Sequence, residues 1–386
     1  MKKLNVALVG LGFGAAFVPI YTHHPDVAQT GIFDPDTALA REAAEKYGVT
    51  RIYRSFEEIL ADGAVDAVHL ISPIPCHAEQ TIRVLRSGKH CACTVPMATS
   101  LRDLTDIVKA VRETGKNYMS METSVYTSHF FMANEMLKGG ELGKIQFLRG
   151  AHYQDMEYWP DYWMGLPPMF YGTHAIAPLV MLAGAPITRT HCFGSGTMRE
   201  ELTKPYGNPF PVECALFDFA NGMKAEATRS LFETAHAYTE SFNIYGDKKT
   251  FEWQQIEREG QPVIFTLEKP GFDRSGRPLR GLPYEVGRVS PRNRYELLPA
   301  EIQKFTVRSE DYDETNPQLS LDRDASGGHG GSHPHLVHEF VHSIVEGRKP
   351  WIDENIGANI SAAGICAHQS AMNGGREVEI PDYSAV

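Results

Sequence analysis

The stretch Leu4-Asn5-Val6-Ala7-Leu8-Val9-Gly10-Leu11-Gly12-Phe13-Gly14-Ala15, carried on to Ile32-Phe33-Asp34, decides how the chain begins to fold. Leu4–Val9 has the apolar character of a strand buried on both faces, and a second apolar run closes at Phe33. The small residues between them have separate physical reasons. Gly10 permits a tight turn out of the strand, Gly12 lets the backbone approach a pyrophosphate, and Ala15 lets the next helix pack closely. Asp34 stands 20 residues past Gly14, where a carboxylate accepts hydrogen bonds from ribose hydroxyls. This order predicts a dinucleotide site built from Gly10, Gly12, Phe13, Gly14 and Asp34. Asp34 would repel a 2′-phosphate, so the reading is NAD rather than NADP. Met1-Lys2-Lys3 ahead of an apolar stretch to Ile20 also has the outline of a secretory leader. Three spaced glycines and the acid place the segment in a folded domain instead.

Composition bounds the rest. The chain has 386 residues, 42% hydrophobic and 22% charged, enough for about two domains. No apolar stretch has the length of a membrane span. The net charge is −11 without a long basic run, which speaks against a nucleic-acid or anionic-membrane partner. Cys76, Cys91, Cys93, Cys192, Cys214 and Cys366 are too sparse for a disulfide scaffold and suggest a reduced, cytoplasmic setting.

Beyond Asp34 the pattern alternates between helix and strand: a helix to Gly48, an apolar run Val65–Ile71, a helix near His77–Ser87, a strand Lys89–Thr94, a helix near Leu101–Thr114 and a strand Asn117–Met121. That rhythm predicts a parallel sheet covered by helices, with ligands at the carboxyl ends of its strands. Ser72, Pro73, His77, Thr94, Pro96 and Glu122 fall at those ends and are expected to face the cofactor. From about residue 126 long strands follow a helix at Phe130–Lys138, namely Ile145–Tyr153, Val212–Phe219, Met223–Ser230 and Glu240–Tyr245. Asn221-Gly222 is a hairpin signal, because such turns need positive φ. Residues 257–328, rich in Pro, Gly, Arg and Asp, suggest a long insertion or surface loop. Helical patterns at Leu336–Glu346 and Ala358–Asn373 close the chain. The expectation is an α/β architecture in two parts: a Rossmann domain over 1–125, and over 126–386 an α+β domain with an open, mostly antiparallel sheet for substrate binding and oligomerisation.

The nucleotide turn, Ser72-Pro73-Ile74-Pro75-Cys76-His77 after an apolar run, Ser87-Gly88-Lys89-His90, the X-X-Pro at Thr94-Val95-Pro96, and Gly140-Glu141-Leu142-Gly143-Lys144-Ile145 resemble the Gfo/Idh/MocA family of sugar and cyclitol oxidoreductases over nearly the whole chain. The resemblance implies an NAD(P)-carrying Rossmann domain, an open sheet domain for substrate, and the 358–373 helix packing back on the first domain; the exposed face of an open sheet, which often pairs with another subunit, is the ground for expecting a homo-oligomer. Ordinary members carry Glu-Lys-Pro where this chain has Thr94-Val95-Pro96. Valine has no proton to give, so acid–base work must come from elsewhere. Met119-Ser120-Met121-Glu122, Phe170-Tyr171-Gly172-Thr173-His174 and Gly328-His329-Gly330-Gly331 are similar to the family's NAD-dependent glycoside hydrolase branch, which includes α-N-acetylgalactosaminidases. The resemblance implies Tyr171 and His174 as catalytic residues and transient oxidation of the sugar C3 hydroxyl. A C3 ketone acidifies the C2 proton, and aglycone elimination, water addition and re-reduction follow.

Other readings of the same residues stand beside these. Tyr171 could merely pack, and His174 could cap its helix. His152 and Asp155, among aromatics that could stack on a sugar face, are substrate-binding candidates, although aromatics at that density also build cores. His329, His333, His335, His338 and His342 put five of sixteen histidines within fourteen residues, and His338-Glu339-Phe340-Val341-His342 satisfies H-E-x-x-H. A third zinc ligand at a recognised offset is absent and Phe340 and Ile344 read as a core face, so no metal is expected. The preferred reading is a mobile loop over Gly327–Ser332 whose His329, with His333, touches substrate. The sequence thus points to an NAD-dependent enzyme on a sugar or glycoside. A plain sugar or cyclitol dehydrogenase and a non-catalytic cofactor-binding protein are the alternatives.

Overall fold

Six parallel strands form the first sheet: β1 (Leu4–Val9), β2 (Val27–Phe33), β3 (Arg51–Ile52), β4 (Ala67–Leu70), β5 (His90–Thr94) and β6 (Tyr118–Met121), in the order β3-β2-β1-β4-β5-β6. This is the doubly wound order, and the direction of winding reverses between β1 and β4, where such sheets open a crevice. The computed structural model describes residues 3–256, 259–267, 271–279, 284–307 and 328–386. Local chemistry sets the helix ends. Asp36 accepts hydrogen bonds from the Ala38 and Leu39 amides to start Thr37–Tyr47, and Gly48 ends that helix at φ 67°. Ser100 and Gly115 do the same for Leu101–Thr114.

The second sheet holds β7 (Ile145–Tyr153), β8 (Ile187–Ser195), β9 (Val212–Phe219), β10 (Lys224–Ser230), β11 (Thr239–Gly246), β12 (Lys249–Glu252), β13 (Val263–Leu267), β14 (Tyr284–Arg288) and β15 (Val378–Glu379). Their order is β14-β13-β12-β11-β7-β10-β9-β8-β15, antiparallel except for the β7–β10 pair. One expectation is corrected here, and the Asn221-Gly222 hairpin forms as expected between β9 and β10. The 257–328 segment is not all loop, because β13 and β14 extend the sheet edge; β14 is exposed along its whole length and therefore lacks the apolar alternation that would have marked it. The positive φ of the Asn221-Gly222 turn belongs to Gly222 alone, while the Asn221 side chain accepts from the Met223 amide and donates to the Ala183 carbonyl. Residues 308–327 of the same segment lie outside the described residues.

Two helices join the sheets. Thr173–Ala183, apolar on nearly every side, lies on the inner face of the second sheet, and Gly150 of β7 makes this possible. A Cβ at Gly150 would stand 2.1 Å from the Ala175 carbonyl oxygen, so the bare backbone lets the helix settle directly on the strand. Glu354–Met372 packs on Leu101–Thr114, β6 and β8, and Ser361 on it accepts a hydrogen bond from the Met97 amide. Among the described residues no helix is long and apolar enough to cross a membrane.

Candidate active site

Glu122 follows β6 directly, is 1% exposed, and its Oε1 accepts from the Ser124 amide at 3.0 Å. Across the junction of the sheets, Pro167 and Pro168 begin a short turn ending at Tyr171, and Gly172 leads into the helix that carries His174 on its first turn. Helical side chains lean toward the N-terminus, so Tyr171 and His174, three residues apart, meet. His174 Nδ1 lies 2.5 Å from Glu122 Oε1, and its Nε2 lies 3.2 Å from the Tyr171 hydroxyl. A carboxylate only accepts, so Nδ1 carries the proton toward Glu122 and Nε2 is the working nitrogen.

Beneath this trio, strand register builds a polar row. His152 on β7 pairs with Arg229 of β10 on one side and Glu240 of β11 on the other, and Arg229 pairs in turn with Glu213 of β9. Direct partners share a face, so four polar side chains line up under Tyr171 and His174. Fully buried Arg229 donates through Nε to the Tyr171 carbonyl at 2.9 Å and to Gln154 Oε1 at 3.0 Å, and also to the His152 and Ser230 carbonyls. Glu213 accepts from the Met169 amide at 2.8 Å and from His368 at 2.7 Å. Two opposite charges therefore grip the turn that presents Tyr171. Glu240 Oε1 reaches 3.6 Å from His174 Nε2 and 3.2 Å from His329 Nδ1.

Electrostatics follow from this crowding. Burial opposes the charged form of His174, but Glu122 and Glu240 outweigh it and raise its pKa above the ordinary value of 6.5. Burial would raise the Glu240 carboxyl, yet His174, His329 and His152 hold it well below the usual range. Arg229 is brought down to about 10 by burial, which leaves it a cation at neutral pH. The Tyr171 phenol is pushed up by burial. His152, enclosed and beside Arg229, is held neutral, and among the described residues neither ring nitrogen has a hydrogen-bond partner.

The cofactor candidates form a cradle. Gly10 sits at φ 91°, where a Cβ would meet the Ile71 carbonyl oxygen at 2.5 Å, whereas nothing lies within 4 Å of a Cβ at Gly12. The turn is thus tight on one side and open on the other, as a pyrophosphate requires. Asp34 closes the turn by accepting from the Leu11 amide at 2.7 Å, and its other oxygen accepts from Asp36 at 2.8 Å. His77 spans the ends of β4 and β5, with Nε2 2.8 Å from the Ser72 carbonyl and Nδ1 2.8 Å from that of Pro96, whose peptide with Val95 is cis. Burial lowers the His77 pKa and favours the neutral ring, whose single N–H donates to one of these two carbonyls and ties the rim there. Thr94 Oγ1 donates to the Leu70 carbonyl at 3.3 Å, and Ser72 to Gln80, beside Pro73. These residues fit a dinucleotide lying along the strand ends.

The remaining candidates separate. His329 joins the cluster through Glu240, and the exposed Phe13 ring of the glycine turn stands edge-on to both His329 and His333. His333 is 1% exposed and stacks on Phe17, so it sits behind the cradle. Gly328–Gly331 is a short helical turn with His329 at φ 45°, and Gly327 lies outside the described residues. Asp155 is exposed and accepts from the Glu157 amide, away from the trio. In the H-E-x-x-H stretch, Glu339 is bound to Arg348 and the Trp351 amide and His338 to His24. Among the described residues no group of three or more His, Cys, Asp or Glu is placed to hold a metal ion. Sequence reasoning missed Glu240, Tyr238, Arg229 and Glu213. A signal for two of them existed: Arg229 shares the buried face of Ala225 and Ala227, and Glu240 that of Phe242 and Ile244.

Comparison with known proteins places this geometry. Residues 4–122 match the family model described as the Gfo/Idh/MocA oxidoreductase family, NAD-binding Rossmann fold, and residues 130–252 match the Gfo/Idh/MocA C-terminal domain. A glycosyl hydrolase family 109 protein of Stenotrophomonas maltophilia is 22% identical, covering 100% of this chain and 90% of its own length. The α-N-acetylgalactosaminidase of Shewanella oneidensis is 23% identical, with 100% and 86% covered. Among solved structures, levoglucosan dehydrogenase in complex with NADH and L-sorbose superposes with a TM-score of 0.76 at 20% identity, covering 99% and 100% of the two chains. Myo-inositol 2-dehydrogenase from Lactobacillus plantarum gives 0.70 at 18% identity, covering 98% and 100%.

Proposed function

Because the chain belongs to the Gfo/Idh/MocA oxidoreductase family, we propose that it cleaves a glycoside with NAD bound and without net redox change, through transient oxidation at the sugar C3. The observation that carries this reading is the series Glu122–His174–Tyr171, with Glu122 and His174 buried, at the end of β6 next to the β5 end where Val95 offers no proton. The full-length similarity to family 109 glycosidases supports it.

The chemistry that NAD supplies when bound is reversible acceptance of a hydride from the sugar carbon. The chain's own residues handle protons. Nε2 of His174, freed for this by the Nδ1 bond to Glu122, takes the C3 hydroxyl proton and later returns it. Tyr171, held by Arg229 and Glu213, orients that proton at Nε2. Glu122 balances the imidazolium while it lasts, so the transfer does not create an uncompensated buried charge. With C3 as a ketone, the C2 proton is acidic enough for elimination of the aglycone by modest bases.

The test follows aglycone and NADH together on a panel of chromogenic glycosides that includes an N-acetyl-α-galactosaminide. Aglycone release without NADH accumulation is the expected result. NADH growth without aglycone release would instead make the protein a sugar or cyclitol dehydrogenase. Neither signal on the panel or on free sugars would leave a cofactor-binding protein without this chemistry.

A further inference from the structure

His174 is 3% exposed, and a proton taken there needs a way out. One path leads from Nε2. Glu240 Oε1 lies 3.6 Å away, at a side chain 8% exposed, and His329 Nδ1 lies 3.2 Å beyond it, at a side chain 23% exposed. Exposure rises at each step from the working imidazole toward water. The Tyr238 hydroxyl donates to the same Oε1 and stands 3.3 Å from His329 Nδ1, which fixes both groups. The backbone is bent to put His329 there: it holds φ 45° although it is not a glycine, followed by Gly330 at 62° and Gly331 at 80°. Strain of this kind persists only where surrounding structure enforces it, and it concentrates at working sites.

We propose that Glu240 and His329 form a proton relay between His174 and solvent, a role that rests on His174 being the group that moves protons. With His329 resting as the Nε2–H tautomer, so that Nδ1 is open, one proton leaves His174 Nε2 for Glu240 Oε1, His329 Nδ1 takes it from Glu240, and His329 Nε2 gives one to water. The return runs in reverse: water protonates His329 Nε2, and the Nδ1 proton goes back through Glu240. Outward transfer leaves His329 in its other tautomer, and return transfer restores it. A cycle that borrows one proton and gives it back therefore resets the relay without a ring flip. Among the described residues the ionisable groups that face His329 are Glu240, Tyr238, His174 and His333.

The test is His329→Gln, which keeps a polar side chain beside Glu240 and cannot pass a proton. On an N-acetyl-α-galactosaminide the relay predicts a fall in kcat of about tenfold or more, an unchanged KM, and recovery on adding millimolar imidazole, which leaves the wild type unaffected. Full kcat in the variant, or a loss with raised KM that imidazole does not restore, overturns the relay. If the wild type instead oxidises free sugars with NADH release, the cleavage reading falls, and the same measurement on that oxidation still tests the relay. Ring-proton NMR gives a substrate-free check of the first link. In Glu240→Gln the His174 titration midpoint falls, and an unmoved midpoint would break the path at its start.

Discussion

Glu122 with His174 and Glu339 with His338 and His342 are both carboxylate–imidazole groupings, one assembled across 52 residues and the other contained in a five-residue motif. In the motif the glutamate is spent and its first histidine is paired. Arg348 binds both Glu339 oxygens at 2.7 and 2.8 Å, the Trp351 amide adds a third bond, and His338 and His24 are joined at 3.0 Å. In the assembled site, Glu122 Oε2 and both nitrogens of His152 are buried without a hydrogen-bond partner among the described residues. Buried polar groups are normally satisfied, so a cluster that leaves capacity unused is held that way by the rest of the fold. The adjacent motif is a finished structural joint, and the dispersed grouping keeps capacity for chemistry.

The comparison breaks most readily at His174. In His174→Gln, kcat is expected to fall by about 10²–10⁴-fold while bound NAD is retained, because the residue handles protons and not the cofactor. Normal turnover would remove it from the mechanism, and lost NAD would show that the variant disturbed the cradle as well. A smaller effect is expected from Gly150→Ala, which drives a Cβ to 2.1 Å from the Ala175 carbonyl oxygen and must lift the helix carrying His174. It should cost about 1–3 kcal/mol in denaturant unfolding. An unchanged midpoint would mean that the helix does not rest on β7 through this contact.

Glu122→Gln sharpens the electrostatic side. The His174 pKa is raised in the folded protein above 6.5, so its contribution to stability is complete below the unfolded value and is lost as pH rises through the folded one. Removing the carboxylate lowers the folded value. Unfolding free energy followed from pH 6 to 9, a window set around that shift, should therefore decline less in the variant than in the wild type. The acid limb of kcat/KM should move to lower pH. Identical pH curves would show that Glu122 does not govern the imidazole.

These effects divide along the same line as what could be read from the sequence. The nucleotide turn was legible because its parts sit within one strand–turn–strand unit, and each glycine answers a local steric need. Tyr171 and His174 were singled out by the resemblance, and their spacing on a helical turn lets them meet wherever the helix goes. Glu122 was legible as a strand end. Glu240, Arg229 and Glu213 were not, since only the register of β11, β7, β10 and β9 brings them under the turn, and register depends on residues far apart in the chain. The edge strand β14 escaped for the opposite reason: exposed along its whole length, it carries no burial pattern to read, and β13 beside it buries only Ile264.

The smallest effect is expected where the motif looked most chemical. Glu339→Gln removes the charge that pairs with Arg348, whose side chain is 40% exposed, and keeps one oxygen for the Trp351 amide. A half-exposed ion pair contributes about 1 kcal/mol or less, so the unfolding midpoint should fall slightly. Turnover should stay within about twofold, because a side chain consumed by Arg348 and Trp351 has no free oxygen with which to activate water. A loss of kcat as deep as that of His174→Gln would mean that the satisfied cluster takes part in catalysis. Unused hydrogen-bonding capacity would then no longer distinguish the two groupings.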